Sequence, residues 1–168
     1  MSIYIYLPLK FRRLICWISA LDPTKFDAQT LVTVPNVNPN GFWEASLDGA
    51  AVNGAEAGLQ GRTAILDTGT TLIVMPAQDA LAVHTLIPGA KSDGQGGFTV
   101  PCNTDAKVAF TFGGQSFDID PRDIAFQPVD PLNPQGDCIS GIAAGDVGGP
   151  NEWLVRLCSN HVDFILKL

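Results

Sequence analysis

A chain of 168 residues is one domain by length and long enough to bury a core. Hydrophobic residues make up 46%, charged residues only 16%, and there are 17 glycines and 12 prolines, a mix that suits strands and turns better than helices. The net charge of −7 argues against nucleic acid or an anionic membrane as partner, and no apolar run is long enough to span a bilayer.

The first twenty residues carry Lys10, Arg12 and Arg13 and no acid. Their apolar stretch, 14–21, is short and Ile18-Ser19-Ala20 is a weak cleavage site, so no signal peptide is expected. Residues 22–27 read as a turn. Residues 29–37, QTLVTVPNV, alternate apolar and polar and predict a strand ended by Pro35. After an NPNG turn, FWEASLDGAAVNG predicts strand, hairpin turn at Asp48-Gly49, strand. Residues 62–66 lead into a further strand. PAQDALAVHTLIPG is the best helix, starting at Pro76, with Leu81, His84 and Leu86 near one face and Pro88-Gly89 as its stop.

KSDGQGGFTVPC reads as a glycine-rich turn entering a short strand. KVAFTFGGQSFDID predicts a hairpin: Val108, Phe110 and Phe112 alternate, Gly113-Gly114 turns, and Phe117 and Ile119 alternate back. PRDIAFQPV and DPLNPQGD predict an irregular strand and a loop, CISGIAAG a buried strand, and EWLV the start of a last strand. Between residues 21 and 155 sixteen acids face five bases, a net of −11, which suits work at low pH and equally an ordinary acidic secreted protein. The four cysteines, Cys16, Cys102, Cys138 and Cys158, allow three pairings, and their spacing fits no zinc site. Asp118, Asp120 and Asp123 lack the spacing of a calcium loop. Gly94, Gly96 and Gly97 lack the Lys and Ser/Thr of a phosphate loop. His84 reads as a core or surface histidine, His161 carries no signal, and Trp43 and Trp153 read as core. No metal and no cofactor is expected.

The chemistry centres on TAILDTGTTLIVMP, 63–76. A lone carboxylate is a poor base for activating water. Two carboxylates about 3 Å apart cannot both ionise and share one proton, so one takes a proton from water while the other donates to a carbonyl. Ala64, Ile65 and Leu66 set the strand and lower the local dielectric; Gly69 permits a tight turn; the Thr68 and Thr70 hydroxyls can bond backbone or carboxylate oxygens and stiffen it.

AILDTGTTLIVMP resembles the second active-site segment of the pepsin family of aspartic endopeptidases, of fungal type. That family is itself the worked example of such a shared proton. GFWEASLDGAAVNG resembles the segment before that aspartate, and VPC, VAFTFGGQSFDIDPRD and GDCISGI resemble the stretch around the disulfide of the C-terminal lobe. NEWLV resembles the start of the closing active-site strand; together the matches cover about 21–155. The resemblance implies an all-β fold, one lobe of a bilobal acid protease with a short helix after the Asp-Thr-Gly loop. It implies Asp67 as one of two catalytic aspartates, Gly69, Thr70 and Thr71 as contacts for substrate backbone, and Thr68 as loop support.

It also implies a Cys102–Cys138 bridge, which would close a loop of about 37 residues and needs an oxidising compartment. Cys16 and Cys158 stay unassigned. The substrate would be peptide or protein, the location extracellular or vacuolar, and full activity would need an N-terminal lobe carrying the second aspartate and a flap. Where the family has glycine after the closing strand, this chain has Arg156, and 156–168 does not resemble the family. Residues 1–20 keep only a faint echo of it. The expected organisation is therefore an extension over 1–20, a lobe over 21–155 and a tail over 156–168, the ends arising from misread exon boundaries or a truncated gene. The alternative is an inactive lone lobe that binds peptide or a partner protein; a homodimer giving two copies of Asp67 is a lesser variant.

Overall fold

The structure, a computed structural model, describes residues 2–6, 28–67, 69–156 and 163–167. The turn expected over 22–27, Cys16, Cys158 and His161 lie outside them. In chain order the strands are β1 (Ser2–Tyr6), β2 (Val32–Pro35), β3 (Glu44–Leu47), β4 (Gly49–Val52), β5 (Ala55–Glu56), β6 (Arg62–Asp67) and β7 (Ile73–Met75). Helix α1 (Ala77–Thr85) follows, then β8 (Lys91–Ser92), β9 (Phe98–Pro101), β10 (Val108–Phe112) and β11 (Gln115–Ile119). A single turn, α2 (Pro121–Ile124), leads into β12 (Ala125–Pro128), β13 (Asp137–Ser140), β14 (Ile142–Ala144), β15 (Glu152–Arg156) and β16 (Asp163–Lys167). The fold is mostly β with one short helix behind the Asp67 loop, as the sequence predicts.

The strands form four sheets, ordered β16-β1-β2, β11-β10-β4-β5, β12-β13-β9-β8 and β14-β7-β15-β6-β3. The last is mixed: β15 runs parallel to β6, β14 parallel to β7, and β3 antiparallel to β6. Its inner face carries the fully buried Ala45, Ala64 and Trp153, which share one register row across β3, β6 and β15. Trp153 meets Phe110 of β10 edge-on, with ring centroids 5.3 Å apart, and so joins this sheet to the β10–β11 hairpin. At the ends of the chain β1 pairs with both β2 and β16, and Ile3 and Ile5 are completely buried.

The hairpin at Gly113-Gly114 has the expected register, Phe112 opposite Gln115, with both glycines at positive φ. The hairpin expected at Asp48-Gly49 does not form. A single residue separates β3 from β4, and the two strands belong to different sheets, β3 on β6 and β4 on β10. Asp48 donates its backbone N–H to Thr111 O, so the chain bends from one sheet into the next instead of turning back. The turn lies one strand later, at Asn53-Gly54, where φ is 52° and 80° and β4 pairs with β5.

CISGIAAG is two strands rather than one, broken at Gly141. Gly141 donates to Ile124 O of α2 and accepts from Ile73 N of β7, so β13 and β14 join different sheets. PRDIAFQPV opens with α2, which Asp120 caps by accepting from Arg122 N, before becoming strand β12. The buried face of α1 is Asp79, Ala80, Val83 and His84, whereas Leu81 is 54% exposed. The predicted face was turned by about one residue because Asp79, a polar residue, is buried through partners the sequence does not show.

Candidate active site

Asp67 is the last residue of β6 and is half-buried. Cross-strand register places its neighbours. Ile65 lies opposite Glu44 of β3 and beside Leu154 of β15, and Leu154 lies opposite Val74 of β7. Successive side chains alternate faces, so Asp67 shares the face of Ile65, opposite to that of buried Ala64 and Leu66. Ile65, Leu154 and Val74 on this outer face are only partly buried, a small apolar floor beside the carboxylate.

The Leu66 N–H donates to Trp43 O at 2.7 Å, continuing the β3–β6 pairing by one step. Phe42, the next residue back along the chain, is 59% exposed. On the other side the backbone of Arg156 is in register with Asp67.

The loop after Asp67 folds back onto it. Gly69 N–H donates to Asp67 Oδ1 at 2.9 Å, and a Cβ at Gly69 would sit 3.5 Å from the same oxygen. Thr68 lies outside the described residues. Thr71 is exposed, as is Gly69. Thr70 Oγ1 is buried and has no hydrogen-bond partner among the described residues, so the bond expected of this hydroxyl is not made within them. Asp67 likewise joins no ion pair among them.

Of the other carboxylates on this face, Glu152 lies at the far end of β15 and Glu44 is already engaged. It is 7% exposed and accepts from Asn38 Nδ2 at 2.6 Å, while its own N–H donates to Asn36 Oδ1. Asn36 Nδ2 donates to Phe42 O, so Asn36, Asn38 and Glu44 together brace the turn that presents Phe42. The asparagine-rich PNVNPNG segment hinted at a turn; nothing in it pointed to Glu44.

Cys102 and Cys138 are bridged, joining the end of β9 to β13. His84 is 3% exposed and fully partnered. Its Nδ1 lies 2.7 Å from Ala80 O, an acceptor only, so Nδ1 carries the proton and Nε2 accepts from Ser140 Oγ at 2.8 Å. The ring stacks on Phe98 at 3.9 Å. Burial holds the imidazole below its ordinary range, although the Ala80 carbonyl pulls the other way. Asp120 caps α2 and pairs with Arg122 at 2.9 Å, and Asp118 is exposed on β11.

Asp67 is thus a half-buried carboxylate at a strand end, held by the Gly69 N–H and flanked by a partly open apolar face. In a comparison with known proteins, the family described as eukaryotic aspartyl protease matches residues 16–154. The chain belongs to that family. A probable aspartic-type endopeptidase CTSD of Arthroderma benhamiae is 35% identical over 136 residues, covering 80% of this chain and 26% of the relative. The aspartic-type endopeptidase ctsD of Aspergillus fumigatus is 37% identical over 136 residues, 80% of this chain and 27% of its own length. Rhizopuspepsin of Rhizopus chinensis is 35% identical over 127 residues, 74% and 30%. The chain thus spans about a quarter to a third of the relatives it matches.

Proposed function

We propose that this chain is the part of an aspartic endopeptidase that supplies one of its two catalytic carboxylates, Asp67. The observation that carries this reading is the position of Asp67: the end of β6, on the open face of the five-stranded sheet, in a chain of the aspartyl protease family. The second carboxylate would come from an N-terminal lobe. With the two facing each other across a shared proton, the ionised one takes a proton from water, the water oxygen attacks the peptide carbonyl, and the protonated one donates to the carbonyl oxygen.

Gly69, Thr70 and Thr71 would hold the substrate backbone, and Thr68 would support the loop. The unpartnered, buried Thr70 hydroxyl supports a loop completed by a group from outside the described residues, because leaving such a group unpaired costs about 1–3 kcal/mol. The partly exposed Ile65, Leu154 and Val74 support an apolar side chain of peptide or protein substrate resting beside Asp67. The Cys102–Cys138 bridge supports an oxidising, secreted or vacuolar setting.

A second reading is a lobe that binds peptide or a partner protein without cutting it, and it draws on Arg156 standing in register with Asp67. The test is capture of the native protein with an antibody to residues 98–125, followed by its mass and an acid peptidase assay. A product well beyond the size of this chain, with cleavage blocked by a transition-state-mimic peptide and abolished by Asp67→Asn, is expected. Cleavage that survives Asp67→Asn refutes the role of Asp67; a product of this chain's size that binds peptide without cutting favours the second reading.

A further inference from the structure

Asp79 is 2% exposed, yet it is a charged residue inside the core. Its Oδ2 accepts from Arg62 Nε at 2.6 Å and from Trp153 Nε1 at 2.8 Å, and its Oδ1 accepts from Arg62 Nη2 at 2.9 Å. Arg62 Nη1 also donates to Gln60 O. The pair is bidentate, the geometry in which a guanidinium holds a carboxylate most firmly.

Its place in the chain gives the cluster a second meaning. Arg62 opens β6 and Asp79 is the third residue of α1, so they are the two ends of the segment that carries the Asp67 loop. Trp153 belongs to β15, which runs parallel to β6. One carboxylate therefore ties the stem of that loop and the neighbouring strand together.

We propose that the Arg62–Asp79–Trp153 cluster is a proton-operated latch: ionised, Asp79 clamps α1 to the roots of β6 and β15, and protonated, it releases them and loosens the Asp67 loop. A protonated carboxyl would turn a hydrogen towards a donor and leave the Arg62 charge without its counter-ion, an unpaired charge in a mostly buried place.

No other charge among the described elements interferes. The strands packed most closely on α1, namely β4, β7 and β14, read GAAV, IVM and IAA and hold no titratable residue. On α1 itself the other titratable side chain is His84, occupied by Ala80 and Ser140. On β6 the remaining one is Asp67, five residues away; on β15 they are Glu152 and Arg156 at its two ends.

Burial alone would raise the Asp79 carboxyl, but the bonds from Arg62 and Trp153 and the Arg62 charge outweigh it and hold the group below the ordinary carboxylate range. The sign follows. The stability that the latch contributes is complete above the ordinary aspartate range and is lost only as the pH falls through the depressed value. The latch would thus stay shut while exposed carboxylates take up protons.

The test is an NMR pH titration of the full chain with labelled tryptophan, the Trp153 indole assigned by Trp153→Phe, beside amide exchange in α1 and in β10–β11. The expected result is a single-proton shift of the Trp153 indole below the usual aspartate midpoint of about 3.9, accompanied by loss of α1 protection while β10–β11 stays protected. Arg62→Met should raise that midpoint by on the order of one to three pH units, and Arg62→Lys by less, since it keeps charge but loses the fork. In Asp79→Asn the indole should no longer titrate. An indole unmoved down to global unfolding, or α1 and β10–β11 losing protection together in every variant, overturns the latch. None of this depends on the lobe being catalytic.

Discussion

Gly141→Ala offers a sharp test of how β13 is handed to β14. A Cβ on Gly141 would overlap the carbonyl oxygen of Asp123 and come within 3.1 Å of its carbonyl carbon. Both are backbone atoms and cannot rotate away. Gly141 cannot step aside either, because its N–H is held by Ile124 O and its carbonyl by Ile73 N, each at 2.8 Å. Overpacking of this kind costs about 1–3 kcal/mol, and loss of one of these bonds adds about 1 kcal/mol, so about 3 kcal/mol is expected. For a chain of this length that lowers Tm by roughly 6–12 °C. The assay is thermal unfolding followed by circular dichroism, with Gly54→Ala as control. Gly54 has φ of 80° and nothing within 4 Å of a Cβ, so its replacement brings conformational strain alone, about 1 kcal/mol. If Gly141→Ala costs less than Gly54→Ala, the close crossing of α2, β7 and β13 is not what shapes this part of the fold.

Other consequences are open to the same measurements. Replacing both Cys102 and Cys138 by Ser removes a bridge across 36 residues and should cost about 4 kcal/mol of stability to urea, reproduced in the parent chain by reductant. His84, buried and held below the ordinary imidazole range, stays neutral while the unfolded chain takes up its proton. Stability should therefore decline as the pH drops through about 6.5, and His84→Gln should flatten that part of the urea-unfolding profile. Leu81→Ser should change stability by no more than about 0.5 kcal/mol, whereas Val83→Ala on the buried face should cost about 2 kcal/mol.

What could be read without a structure was what neighbours in sequence decide. Val108, Phe110 and Phe112 alternate because one face of β10 meets the core, and Gly113-Gly114 supplies two positive φ values in a row; both signals lie within a dozen residues. The Asp67 segment is legible for the same reason, since strand, carboxylate and turn follow one another directly. Asp48-Gly49 misled because the same dipeptide can turn back or pass on. The choice was made by Thr111, some sixty residues away, which accepts the Asp48 N–H. Leu81 misled because the face of α1 is set by Arg62 and Trp153, which satisfy Asp79 and draw a charged residue inward.

The division has a physical cause. A side chain's own preference depends on its nearest neighbours, but the cost of burying a carboxylate is repaid only by donors that folding brings from elsewhere. The Asp67 segment is therefore written locally, while the frame around it, made of Asp79 with Arg62 and Trp153 and of Glu44 with Asn38, exists only in three dimensions. A substitution that leaves DTGTT untouched but breaks that frame would keep the motif and lose the geometry.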